Sequence, residues 1–472
     1  MLFYEPFFLL FFFPAIYACY LAFHDHQSAK QWTLLLGSVA FYTWGEPLFI
    51  PVLLASSLFD YWLSLRLVDT KSEASRRTLV AAGIIGNIAV LGFYKYADFI
   101  AANLNLALTP LTGTKIPLLE LALPIGVSFV IFEKITYLVD TYRGTSAPAP
   151  RFRDYCLFVF FFPKLLAGPI LKYHEMSGQI AAPAAIQWTD FQEGFLRFAR
   201  GIAKKLLIAD PLGAFADRTF AADPSTLDAG PAWLGLICFT LQIYFDFSGY
   251  SDMAIGLARM LGFRLRENFN MPYTARSLTE FWRRWHISLT TWIRDYLYVP
   301  LGGNRLGEVR TYVNLWLCFL ASGLWHGASW TFVLWGMYNG LVLMLDRMFL
   351  LRVLERAGTL VATAITLMIV MLGWVIFRST SVEQIAGYMA ALVGLQPGGM
   401  PVEIPGDVPF IAAVGTILSL LPATPLYEPI RNAYERSRAL RAIAAAGLVI
   451  VFVLAVARAL SVPFMPFIYF RF

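Results

Sequence analysis

The scarcity of charge constrains this chain more than any other feature. Of 472 residues, 58% are hydrophobic and only 14% are charged, and mean hydropathy is +0.61. A soluble domain usually carries about 25% charged residues. So few charges cannot cover a water-facing surface of this size, so the surroundings must be lipid. Helices cross a bilayer because every backbone group is then satisfied within the segment, and each crossing needs about 20 apolar residues. Apolar runs occur at 3–23, 32–48, 49–68, 78–97, 117–139, 155–171, 193–209, 231–262, 311–325, 327–349, 359–377, 408–424 and 441–460. Pro163, Gly168 and Pro169 interrupt one of them, and Arg197, Arg200, Lys204 and Lys205 make another interfacial or re-entrant. The expectation is an all-α polytopic membrane protein with eleven to thirteen crossings. Aromatic residues reach 16%, which suits lipid-facing helices with interfacial Trp and Tyr. The first run has no basic region before it and no cleavage site after it, so it reads as a retained span.

Basic loops set the expected orientation. The loops 24–31, 69–77 and 140–154 carry Lys30, then Lys71, Arg76 and Arg77, then Arg143, Arg151 and Arg153. The segments between them are nearly neutral. This alternation puts the three loops in the cytoplasm and the N-terminus outside. Arg431, Arg436, Arg438 and Arg441 mark another cytoplasmic loop, which sends the last residues outside. A single membrane domain over 1–472 is expected: spans over 1–115, a core over 116–350, spans over 351–460 and an extracytoplasmic aromatic tail over 461–472. Four cysteines, Cys19, Cys156, Cys238 and Cys318, lie far apart in apolar stretches and read as packing residues. No metal ligand set and no bound cofactor are expected, and the charge of +6 reads as loop charge rather than as a nucleic-acid surface.

Five histidines are present: His24, His26, His174, His286 and His326. The first two sit in a polar loop. His174 follows a Gly-Pro break and reads as structural. His326 lies between two apolar runs in Ser322-Gly323-Leu324-Trp325-His326-Gly327. An ionisable residue at membrane depth is costly and points to function. Apolar surroundings favour the neutral imidazole, which can accept a proton. Taken alone, a buried histidine in a helix is more often a hydrogen-bonded packing residue. His286 lies in Phe281-Trp282-Arg283-Arg284-Trp285-His286, within a stretch, 263–310, that has an excess of four positive charges. That stretch either anchors to anionic headgroups or forms a mouth for a phosphate-bearing donor. A third cluster, Tyr244 to Asp252, places Asp246 and Asp252 in an apolar run, either satisfying arginines or helix ends in the bundle or lining a cavity.

With these residues in view, the chain resembles the membrane-bound O-acyltransferases, and among them bacterial subunits that support alginate O-acetylation. The carrying segments are Phe162-Pro163-Lys164-Leu165-Leu166-Ala167-Gly168-Pro169, the run from Tyr244 to Asp252, Glu267-Asn268-Phe269-Asn270 with Pro272-Tyr273, Phe281 to Leu289, Trp292 to Tyr298, Gly302-Gly303-Asn304-Arg305 and Leu324-Trp325-His326-Gly327. They cover roughly 120 to 345. The resemblance implies a ring of tilted helices with re-entrant pieces around a central funnel. It implies His326 as the reactive histidine, His286 as a second polar active-site position, and Arg283, Arg284, Arg294, Arg305, Asn304 and Trp325 as substrate-binding. It also implies acetyl-CoA as donor, a bacterial inner-membrane location, an extracytoplasmic SGNH-type partner protein and a polysaccharide acceptor. The last residues, Pro466 to Phe472, resemble an aromatic motif that offers a tyrosine as acyl acceptor. Here that would be Tyr469, readable also as an interfacial anchor. Two other functions stay open: an exporter of an acylated carrier, and a non-catalytic scaffold for polymer-modifying partners.

Overall fold

A computed structural model describes residues 1–396, 402–461 and 465–470; Arg471 and Phe472 of the expected tail lie outside the described residues. The described residues are helices and connecting loops, with no strand among them. The helices that matter below are α1 (Ile50–Asp69), α2 (Glu73–Thr112), α3 (Val127–Arg143), α4 (Trp188–Ala203), α5 (Asp210–Ala221), α6 (Ala229–Met260), α7 (Leu278–Arg284), α8 (Ile287–Ile293), α9 (Glu308–His326), α10 (Trp330–Leu345), α11 (Thr359–Arg378), α12 (Asp407–Leu420) and α13 (Arg438–Ser461). Local sequence sets several of their ends. Ser72 caps α2 by accepting from the Ser75 N–H, and Gly113, at φ +69°, ends it.

Among the described residues, five helical stretches are each long and apolar enough to cross a membrane: Pro47–Asp69, Glu73–Thr112, Ala229–Met260, Thr359–Arg378 and Arg438–Ser461. A sixth arises if Asp407–Ala423 and Tyr427–Arg436, bent by 87°, form one span. The protein is therefore a multi-pass membrane protein. The higher number expected from apolar runs requires the shorter helices too, because breaks cut those runs. The run 155–171 is a helix over Phe152–Phe160, a break at Phe161 and a single turn over Phe162–Leu165 with Pro163 at its start. The run 117–139 becomes helical only from Val127, after Gly126 at φ +78°. The run 193–209 is the end of α4 and a widened, π-helical segment, Lys204–Ala209.

The chain divides into two compact units, one comprising 1–198 with 253–266 and the other 199–252 with 267–472. In the first, the long helices bury matched charges. Lys134 on α3 lies 3.3 Å from Asp60 on α1, and Asp60 accepts from Asn87 on α2 at 2.9 Å. The neighbouring Glu133 pairs with Lys164. All four ionic side chains are at most 4% exposed. His174 lies 2.9 Å from Asp140, in keeping with a structural role. In the second unit, α9 and α10 form a hairpin whose backbones touch. A Cβ on Gly323 would lie 2.3 Å from the Phe332 carbonyl oxygen, and one on Gly336 would lie 2.5 Å from that of Phe319.

Removing one member of a buried pair leaves an uncompensated charge, which costs about 3–5 kcal/mol, whereas replacing both by apolar residues is often neutral. Lys134→Met should therefore lower the thermal unfolding temperature in detergent markedly. Lys134→Met/Asp60→Leu should recover most of the loss. A single variant that melts like the wild type would show that the pair is dispensable.

Candidate active site

Four of the residues singled out by sequence, His286, His326, Trp325 and Tyr469, come together in the second unit. His286 occupies the break between α7 and α8, in a left-handed conformation at φ +44° and ψ +54°. Such a backbone costs a non-glycine residue about 1–3 kcal/mol and persists only where the surroundings impose it. Asn268 imposes it here. The Ile287 N–H donates to the Asn268 backbone carbonyl at 2.9 Å. The Asn268 side-chain Oδ1 lies 3.2 Å from the Ser288 N–H, 2.9 Å from the Ser288 hydroxyl and 3.1 Å from His286 Nδ1. A backbone N–H can only donate, so the amide atom facing it is the oxygen. His286 Nδ1 must then donate as well, and the neutral ring turns its lone pair to Nε2. Asn268 in turn donates to the Ser251 hydroxyl on α6 at 3.2 Å.

His326 is held by packing. It is the last residue of α9, followed by Gly327, and Ser329 caps α10 by accepting from the Thr331 N–H. The glycine contacts of the α9–α10 hairpin fix where this turn lies. Aromatic rings surround the imidazole: Trp325 at 4.8 Å between centroids, Trp335 at 5.0 Å and Phe377 of α11 at 5.2 Å. The Tyr469 ring completes the cage at 5.7 Å. His286 and His326 are 1% and 7% exposed. Trp325 lies beside both, 6.2 Å from His286. Phe247 of α6 touches both His286, at 4.7 Å, and Tyr469, at 4.4 Å. A buried imidazole beside a phenol is an arrangement suited to proton transfer at a hydroxyl.

The polar residues expected to meet the donor lie elsewhere, on the surface. Arg283, Arg294, Asn304 and Arg305 are exposed and Arg284 is half-buried. Arg284 pairs with Glu280 at 2.5 Å and Arg294 with Asp295 at 2.7 Å, so part of that positive charge is neutralised locally. Of the six expected substrate-binding residues, only Trp325 touches the histidines. The two α6 carboxylates satisfy lysines. Asp252 pairs with Lys204 at 2.8 Å and Asp246 with Lys205 at 3.1 Å. Six residues apart, they point about 120° apart around the helix, and adjacent lysines meet them. Asp246 also accepts the Ile468 N–H at 2.9 Å.

Sequence reasoning passed over Asn268, Lys205 and Asp210 as site residues. Asn268 carried a signal, since it lies in one of the segments that bear the resemblance. The two lysines carried a weaker one: adjacent charges inside a run otherwise apolar from Leu206 to Ala209.

Comparison with known proteins gives this geometry a context. Over 385 residues the chain is 42% identical to the probable alginate O-acetylase AlgI of Pseudomonas aeruginosa, covering 81% of this chain and 73% of that protein. Over 429 residues it is 36% identical to the peptidoglycan O-acetyltransferase of Helicobacter pylori, covering 84% and 80%. A more distant relative, the teichoic acid D-alanyltransferase of Bacillus subtilis, is 24% identical over 230 residues, covering 46% and 58%. Residues 141–389, which contain both buried histidines, match the membrane-bound O-acyltransferase family. The chain belongs to that family and is an O-acyltransferase of the membrane.

Proposed function

We propose that the protein takes an acetyl group from acetyl-CoA at the cytoplasmic face and passes it, through Tyr469, to a hydroxyl on an extracytoplasmic polysaccharide. The observation that carries this reading is the His326–Tyr469 pair, 5.7 Å between ring centroids inside a closed aromatic cage. The relatives' names supply the chemical class: two are O-acetylating enzymes of surface polymers. Alginate and peptidoglycan glycans are both in range, and a separate SGNH-type partner in the outer compartment would complete delivery, because no Ser-His-Asp module is seen in this sequence. Arg283 and Arg305, exposed in the basic stretch, offer forks for the phosphates of the donor. Basic loops then face the cytoplasm, and both N-terminus and aromatic segment face outward.

The chemistry runs in two balanced steps. His326 takes the Tyr469 hydroxyl proton as the phenolic oxygen attacks the thioester carbonyl. The C–S bond breaks, the thiolate recovers the proton from the imidazolium, and an acetyl-tyrosine ester remains. In the second step an acceptor hydroxyl gives its proton to His326 and attacks that ester. The acyl C–O bond to the phenolic oxygen breaks, and the tyrosinate takes the proton back from the imidazolium. A phenol of pKa about 10 leaves far more readily than a sugar alkoxide, so the second step runs downhill. His286, with its lone pair at Nε2, suits orienting a hydroxyl through an accepted hydrogen bond. Stabilising an oxyanion would need its protonated form.

In cells, His326→Ala should abolish polymer acetylation in a protein that still accumulates in the membrane; retained acetylation would sink the assignment. Tyr469→Phe should do the same while inserting normally. If acetylation persists, Tyr469 is only an anchor. Asn268→Ala frees His286 to take the other tautomer. Loss of a buried hydrogen-bond partner is worth about 1–3 kcal/mol, so the acetylation rate should fall roughly 5- to 150-fold with membrane abundance unchanged.

A further inference from the structure

The segment 465–470 is held by charge as well as by its aromatic rings. Lys205, 2% exposed, lies 2.7 Å from Asp210 and 3.1 Å from Asp246. One ammonium thus faces two carboxylates. Arg458 on α13 lies within electrostatic reach of Asp210, and Asp246 is 1% exposed. This buried cluster meets the aromatic segment. Asp246 Oδ2 accepts the Ile468 backbone N–H at 2.9 Å, and Lys205 Nζ donates to the Pro466 carbonyl at 3.5 Å. A backbone donor and a backbone acceptor two residues apart are therefore both engaged. Phe467 between them is fully buried, packing on Tyr250 at 4.8 Å and Phe247 at 5.9 Å.

Burying such a cluster is not a stability device in itself, since apolar replacements usually serve as well. Its consequence here is register. Ile468–Phe470 forms a single 3-10 turn, in which, at 3.0 residues per turn, each residue swings its side chain by about 120°. A slip of one residue would carry the phenol away from His326.

We infer that Lys205 and Asp246, backed by Asp210, form a seat that reads the backbone of Pro466 and Ile468 and sets Tyr469 in register with His326. These are positioning residues; they touch the peptide and not the reacting atoms. The inference rests on the reading of Tyr469 as acyl relay only for its purpose, not for the seat itself. The widened Lys204–Ala209 segment is part of the device. Such π-helical insertions occur frequently at functional sites, and this one carries Lys205.

The test separates seating from chemistry. In the full chain with its four native cysteines replaced, Tyr469→Cys places a thiol in the seat. Its reaction rate with a small water-soluble maleimide reports how often the segment is unseated. Lys205→Met/Asp246→Leu removes both groups that touch the peptide and leaves Asp210 within electrostatic reach of Arg458. Ile468→Pro removes the N–H while keeping a residue that tolerates the first position of a turn. Losing a hydrogen bond to a charged group should raise the labelling rate roughly 10- to 100-fold in each. In parallel, the same two changes are made in chains that keep Tyr469. Purified protein is then incubated with acetyl-CoA carrying an isotopically labelled acetyl group, and label on Tyr469 is read by mass spectrometry. Faster thiol labelling together with weaker Tyr469 acetylation is the expected result. Unchanged thiol labelling in both variants overturns the seat, as does a change in Ile468→Pro without one in a folded Lys205→Met/Asp246→Leu. If the paired variant does not fold, Ile468→Pro decides alone. Faster thiol labelling with no acetylated Tyr469 even in the wild type leaves the seat standing and removes the relay.

Discussion

A charge among apolar side chains has to be matched within a few ångströms, and much of this fold is arranged to do so. Lys134 with Asp60, Lys164 with Glu133, Lys204 with Asp252 and Lys205 with Asp246 are all ion pairs between segments that sequence reads as apolar. Outside lipid, such pairs are dispensable. At membrane depth, each fixes the rotation of one helix against another, because turning either by a single residue, about 100°, would strand both charges. Helices so pinned can hold broken or irregular pieces between them, and those pieces carry the chemistry.

The two buried histidines are held by different means, and the difference matches different work. His286 is fixed through hydrogen bonds to Asn268, with its tautomer set and its backbone in a left-handed conformation. Residues held this way orient other groups. His326 is held by ring contacts and by the glycine-tight α9–α10 hairpin. Those rings fix where its imidazole stands against the ring of Tyr469.

Much of this was legible in the chain. Charge scarcity announced the membrane, and the apolar runs located most of the long helices to within a few residues. His326 stood out because glycines and apolar runs flank it. What was illegible is what connects distant residues. Ile468 and Asp246 are 222 positions apart, and no periodicity links a backbone N–H to a remote carboxylate. Lys205 looked like an interfacial lysine because pattern reads one helix at a time, whereas its partners lie on α5 and α6. The arginines illustrate the opposite failure. Their local density suggested a single mouth, yet Glu280 and Asp295 neutralise Arg284 and Arg294 in place, leaving Arg283 and Arg305 exposed.

Phe247 packs against two of the rings that matter here. Its ring lies 4.7 Å from His286 and 4.4 Å from Tyr469, and its side chain is fully buried. His326 meets the Tyr469 ring directly. Phe247 also follows Asp246, the residue that accepts the Ile468 N–H. Consecutive positions on α6 thus hold the peptide backbone and pack against the Tyr469 ring. In the proposed transfer, proton exchange at the phenol falls to His326, whose ring meets that of Tyr469, and orientation of the acceptor hydroxyl falls to His286.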